Sequence, residues 1–221
     1  MDWSAFRVSI QLALGTLAVL LPLGLLLGRW LSKTPWRGRV WVEAAVLLPL
    51  VLPPTVMGYY LLVAVGGNSV VGSWLQSLGV SLTFTFSGLL LASVLFNIPF
   101  MVQPIQRAFE SIPHSLNEAA QVSGLSQWEI FLRIELPLAW PGILSALVLT
   151  FVHTLGEFGV VLMIGGNIPG ETRTLAIAIY DQVQAFDLAA ANRMSLVLLL
   201  FSMVAVVMSL ALSGRRKRRL A

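Results

Sequence analysis

The 221-residue sequence contains no cysteine, which excludes disulfides, thiolate metal sites and cysteine nucleophiles. Charged residues make up only 11% of it, whereas 57% is hydrophobic. A soluble domain carries about a quarter charged residues, too many for this composition to match. A bilayer tolerates it, because side chains facing lipid need no burial in protein. Histidine occurs twice, at His114 and His153. No nucleophile–base pair, metal-ligand cluster or Gly-x-x-x-x-Gly-Lys-Ser/Thr phosphate cradle appears, so the chain is not read as an enzyme. The first residues, Met1-Asp2-Trp3, lack the basic start of a cleaved signal, and the apolar run behind them is long enough to be a retained span.

What is abundant is long apolar runs. Five stretches reach spanning length, at 8–28, 44–65, 84–106, 138–164 and 194–213. The expected fold is all-α, an integral membrane bundle of about five transmembrane helices over a single domain, 1–221. Basic residues divide unevenly among the connections. The first connection (Arg29, Lys33, Arg37, Arg39), the third (Arg107, Arg133) and the tail Arg215–Arg219 hold eleven Lys/Arg, against Arg7, Arg173 and Arg193 elsewhere. Basic residues near span ends stay in the cytoplasm, which predicts an N-terminus outside and a C-terminus inside. Beside a span, the basic tail reads as a topology anchor rather than a nucleic-acid patch.

The third connection, 107–137, is built to fold. Ser115 and Glu118 have capping-box spacing, as do Ser126 and Glu129. Gly124 is placed to close the first helix, and Pro137 to limit the second. Two short helices on a tight turn are expected, with Ala119 and Ala120 small enough for another surface to approach and Ile130, Phe131 and Ile134 forming an apolar stripe. A DNA-binding helix-turn-helix would be basic, and this segment carries two Arg against Glu110, Glu118, Glu129 and Glu135. Docking on a cytoplasmic partner and packing on its own helices both remain open from the residues alone.

Two spans carry irregular features. Pro49, Pro53 and Pro54 must kink or open the second, either for packing or beside a pore, with Thr55 following them. The fourth contains Gly156-Glu157-Phe158-Gly159 behind His153, and an acid inside a span faces the bundle or a cavity. Glu157 is either a structural partner or part of a gate. After it, Leu175, Ile179, Val183 and Phe186 recur at near-helical spacing, predicting an amphipathic outer helix.

Glu118-Ala119-Ala120, then Gly124, Ile134 and Leu136-Pro137, resemble the EAA loop of ABC importer permeases. Leu-Pro-Pro-Thr-Val-x-Gly-Tyr-Tyr from Leu52, Leu-Gly-Glu-Phe-Gly from Leu155 and Gly-Asn-Ile-Pro-Gly-Glu-Thr-Arg-Thr from Gly166 resemble the molybdate branch of that family, with the sulfate permeases near relatives. The resemblance implies an inner-membrane pore subunit for molybdate or tungstate. It implies as partners a second copy of the chain, two cytoplasmic ATPase subunits that carry ATP and Mg, and an external molybdate-binding protein, with no cofactor in this chain. It assigns ATPase coupling to Glu118, Ala119, Ala120, Gly124, Phe131, Ile134, Leu136 and Pro137. Pro53, Pro54, Thr55, Gly156, Glu157 and Gly159 are the pore or gate candidates. One departure is the count of five spans where some relatives have six. A stand-alone secondary transporter and a membrane scaffold are the rival classes; the first predicts intramembrane charge pairs or repeats, which the sequence does not display.

Overall fold

A computed structural model describes the backbone of residues 1–220 and the side chains of 1–211. The basic stretch 215–219 therefore lies outside the described side chains. The described residues are helical with short connections. The elements are α1 (Trp3–Lys33), α2 (Arg39–Val51), α3 (Pro54–Val65), α4 (Val70–Ser77), α5 (Phe86–Glu110), α6 (His114–Val122), α7 (Gln127–Ile130), a π-helical turn (Phe131–Glu135), α8 (Leu136–Gly156), α9 (Gly159–Gly165), α10 (Leu175–Gln184) and α11 (Leu188–Leu220). Four helical stretches are long and apolar enough to cross a bilayer, or five if the bent pair α2–α3 is one span.

The core is α1, α5 and α8. Helices α1 and α5 run parallel and nearly touch, because α1 presents glycine where they meet. A Cβ on Gly24 would lie 2.5 Å from Met101 Cγ, and one on Gly28 would lie 3.0 Å from the backbone nitrogen of Gln106. Small residues are how membrane helices gain contact when lipid gives no hydrophobic drive to pack. Helix α8 returns antiparallel, and Gly142 meets Ala108 and Pro104 of α5. The cluster Leu20, Met101, Ile105, Phe109, Ile143 and Ala146 fills the space between the three.

The second predicted span is broken, not kinked: α2 and α3 meet at 109°. Leu52 and Pro53 each precede a proline, which pushes them out of the helical region, to ψ 137° and 134°. Pro49, by contrast, sits inside α2 without ending it. The fourth predicted span also breaks. It begins earlier than 138 and stops at Gly156, where Glu157 turns extended (ψ 131°) before α9 starts at Gly159. The connection at 66–83, with no charge in it, contains α4, capped by Ser69. Helix α10 buries its first turns, Leu175 and Ala178 against Ala5 and Met194, and Ile177 against Val8, Leu12, Leu89 and Val161. Val183 and Phe186 of the predicted stripe are exposed; Val183 lies in the last turn of α10, and Phe186 lies beyond its end at Gln184.

Antiparallel pairing sorts the connections onto two ends. Arg29 and Lys33 meet Glu135, and Arg39 meets Glu110, at one end. Asp2, Arg173 and Asp181 meet at the other. The two basic connections read from the sequence thus share one end.

Replacing Gly28 with valine is expected to destabilise the purified protein by about 1–3 kcal/mol, since its Cβ alone would meet Ile105 Cγ2 at 2.8 Å and the backbone nitrogen of Gln106 at 3.0 Å. Gly15→Ala meets only the tip of Leu90, at 3.1 Å, and is expected to be nearly neutral. Thermal unfolding in detergent compares the two.

Candidate functional site

Two sites occupy opposite parts of the rod formed by α7, the π turn and α8. The first is the elbow at its start. Helix α6 begins at His114 behind Pro113 with no side-chain cap, so the Ser115–Glu118 capping box does not form. Pro113, fixed in the extended region, starts the helix two residues sooner and leaves Ser115 inside it. Gly124 does close α6, at φ +82°, a conformation that only glycine adopts cheaply. Its N–H donates to Gln121, and that of Leu125 donates to Ala120. The second capping box is complete. Glu129 N–H donates to Ser126 Oγ at 3.3 Å, and Ser126 N–H donates to Glu129 Oε2 at 3.0 Å.

Pro137 does not end the second helix. It occupies the opening turn of α8, and α7 runs through the π turn into α8 without a break. The wider turn accommodates it: Leu136 N–H reaches back five residues to the Phe131 carbonyl. Glu118, Ala119 and Gly124 are exposed, as are Val122 and Trp128. Ala120 is buried, and Phe131, Ile134, Leu136 and Pro137 are partly buried. Phe131 and Leu136 pack on the core cluster beside Phe109 and Ile112. Beneath the elbow lies a fully buried acid absent from the sequence reading as a feature of its own. Glu135 accepts from Arg29 Nε at 2.7 Å and from Lys33 Nζ, and the Arg29 guanidinium lies 4.9 Å above the Phe131 ring.

The second site is the break at the far end of α8. A cavity of about 550 Å³ is lined by Pro54 and Thr55 of α3, Phe96 of α5, and His153, Gly156, Glu157 and Gly159 around the break. Five of the six pore candidates thus line one space; Pro53 is exposed one residue outside it. Helix α9 approaches α3 closely through glycines. A Cβ on Gly159 would lie 3.1 Å from Pro54, and one on Gly58 would lie 2.7 Å from Met163.

Glu157 is buried in a polar network. Its Oε1 accepts from Asn97 Nδ2, and His153 Nδ1 lies 3.7 Å from the same oxygen. Asn97 Nδ2 also donates to the Ser93 carbonyl at 2.8 Å, and Asn97 Oδ1 is 3.0 Å from His153 Nδ1. Thr16 Oγ1 of α1 donates to Ser93 Oγ at 3.0 Å. The His153 ring stacks on Phe100, centroids 3.8 Å apart. Glu157 Oε2 is buried with no partner among the described residues. The network stitches α1, α5 and α8 together at the level of the break.

The family of binding-protein-dependent transport system inner membrane components matches residues 21–219. The chain belongs to this family. The permease is 45% identical over 221 residues to the molybdenum transport system permease protein ModB of Azotobacter vinelandii, covering 100% of this chain and 97% of that one. It is 36% identical to the Escherichia coli K12 protein of the same name, covering 94% and 92% of the two chains. It is 32% identical to the sulfate transport system permease protein CysT of E. coli K12, covering 89% and 71%. Among solved structures, a bacterial ABC transporter for import of alginate superposes with a TM-score of 0.78 at 20% identity, covering 96% of the permease and 78% of that chain. An inward-facing MetNI methionine transporter superposes with a TM-score of 0.70 at 16% identity, covering 97% and 93%. These likenesses give the permease the ABC-importer membrane fold.

Sequence reasoning missed Asn97, Ser93 and Thr16, and it missed the role of Arg29 and Lys33 as partners of Glu135. A signal existed for Asn97, since a carboxamide inside an apolar run needs partners. For Ser93 and Thr16 there was none, because such residues are common where membrane helices pack.

The Glu157→Gln permease is expected to keep its stability, since the amide oxygen still accepts from Asn97. Asn97→Leu leaves the buried Glu157 without that donor and is expected to cost about 1–3 kcal/mol. Equal thermal unfolding of the two variants would contradict the network.

Proposed function

We propose that the permease forms half of the membrane pathway of an ATP-driven importer for molybdate or tungstate. A second copy would complete the pathway, two ATPase subunits would sit on the elbow side, and an external binding protein would deliver the oxyanion. The observation that carries the substrate is the 45% identity to a molybdenum permease, end to end. The lower similarity to the sulfate permease makes sulfate the competing substrate of the test.

The geometry suits a relay. The exposed face of α6, with Glu118, Ala119 and Val122, would rest in a cleft of the ATPase. The helix from Gln127 to Gly156 is 30 residues, roughly 45 Å at 1.5 Å per residue. Motion of the elbow would pass along this rod to the break at Glu157, which lines the cavity. Asn97 would hold that end on α5 while α3 and α9 move against it, giving alternating access. The uneven basic residues would place the elbow in the cytoplasm and the N-terminus outside.

The cavity lining named above contains no Lys or Arg. Tight capture of a divalent oxyanion needs fixed positive charge or a cluster of aligned donors. The pathway would therefore bind the anion weakly and leave selection to the external protein. Tight molybdate binding by the isolated permease would contradict this.

The test is uptake of labelled molybdate into proteoliposomes holding the permease, its ATPase and the binding protein, with sulfate as competitor. ATP-dependent uptake is expected; uptake without ATP would identify a secondary transporter. Glu118→Lys and Gly124→Pro are expected to leave insertion and ATP hydrolysis in place while abolishing uptake. The first puts the wrong charge on the docking face. The second forces a ring locked near φ −65° onto a position at φ +82°. Undiminished uptake in both would remove the docking role of the elbow.

A further inference from the structure

Outside the elbow's exposed face and the cavity at the break, another pocket sets two cations against an apolar wall. It holds about 340 Å³ between the end of α1 and the start of the rod, and its lining includes Leu26, Arg29, Trp30, Lys33, Trp128 and Phe131. Two cations face one acid here. Glu135 is buried behind the wall with its side chain 1% exposed, whereas Arg29 and Lys33 keep 29% and 37% of theirs exposed. Arg29 spends Nε on Glu135, and its terminal nitrogens have no partner among the described residues. The pocket thus carries a net positive charge that the protein leaves unmatched.

Its walls are those of a membrane interface. Trp30 and Trp128 are 43% and 66% exposed, and tryptophan concentrates at the headgroup level of bilayers. Leu26, 70% exposed, lies one turn further into the span on α1 and offers an apolar track leading away from the cations. Cationic heads beside a tryptophan pair, with an apolar track toward the bilayer centre, fit an amphiphile with an anionic head. We infer that this pocket is a binding site for an anionic phospholipid, its phosphate on Arg29 and Lys33 and one acyl chain along Leu26. Basic pockets between spanning helices are where such headgroups bind, and anionic lipids populate the cytoplasmic leaflet. Only the leaflet depends on the proposed topology; the binding itself does not depend on the transported substrate. A lipid seated there would touch Phe131 and Trp128 at the root of the elbow.

Native mass spectrometry tests this on the permease assembled with its ATPase, so that a pocket covered by protein would show as such. The complex is equilibrated with equal amounts of dioleoyl phosphatidylglycerol and dioleoyl phosphatidylcholine, which differ in headgroup alone. Preferential retention of the phosphatidylglycerol is expected. Lys33→Gln, in which Arg29 still pairs Glu135, and Trp128→Ala, which touches no charge, are each expected to lower that preference several-fold. Glu135→Gln, which releases both cations, is expected to raise it. Equal retention of the two lipids by the unaltered complex, or a preference unchanged in both Lys33→Gln and Trp128→Ala, overturns the inference. Loss of molybdate uptake with lipid preference intact would instead fault the transport reading.

Discussion

The hydrogen bond from Asn97 to Glu157 is the constraint on which the rest of the architecture turns. A helix that breaks inside a bilayer exposes backbone groups with no water to satisfy them, so a break survives only where protein or a cavity receives it. Here the break follows Gly156, the cavity lies against it, and Asn97 of α5 holds its acid in place. The same carboxamide engages Ser93 and His153, and Ser93 in turn engages Thr16. A single buried amide therefore fixes the level at which α1, α5 and α8 are joined. It also fixes where α8 gives way to α9, and hence where the cavity forms.

The two buried acids of the rod are handled differently, and the difference follows their neighbours. Glu135, at the elbow, meets two full cations from α1. With either cation removed the other still pairs Glu135; removing both would leave the buried carboxylate stranded, at a cost of several kcal/mol. Glu157 meets an amide and an imidazole and keeps one oxygen without a partner. The elbow end is thus clamped to α1 by two ion pairs, while the cavity end is held by an amide and an imidazole. A rod held by ion pairs at one end and by an amide and an imidazole at the other would suit the relay proposed above.

Much of this was legible in the residues, for identifiable reasons. Spanning runs announce themselves because transfer from water to lipid is a local property of composition. Gly124 announced a left-handed closure because backbone sterics are local, and the Ser126–Glu129 box because both partners lie within one turn. The failures also have causes. Pro137 reads as a stop because a proline removes a donor; the structure absorbs it in a π turn at the start of α8. The Ser115 box failed because Pro113, two residues upstream, starts the helix earlier. Pro49, Pro53 and Pro54 look alike in sequence, yet only the adjacent pair breaks the helix, since it puts two consecutive residues, Leu52 and Pro53, before a proline and both turn extended.

The sequence by itself determined the solvent, the number of apolar runs, the segregation of basic residues and the folded elbow, since each is written within a few turns of chain. It also carried enough of the family's motifs to show the class of machine. Only the tertiary structure decided that Thr16, Ser93, Asn97, His153 and Glu157 form one network, that Glu135 belongs to Arg29 and Lys33, and that five of six pore candidates share a cavity. The pairings between helices join residues 56 to 106 positions apart. Distances of that kind depend on how three helices register through their glycines, and no local pattern encodes that register.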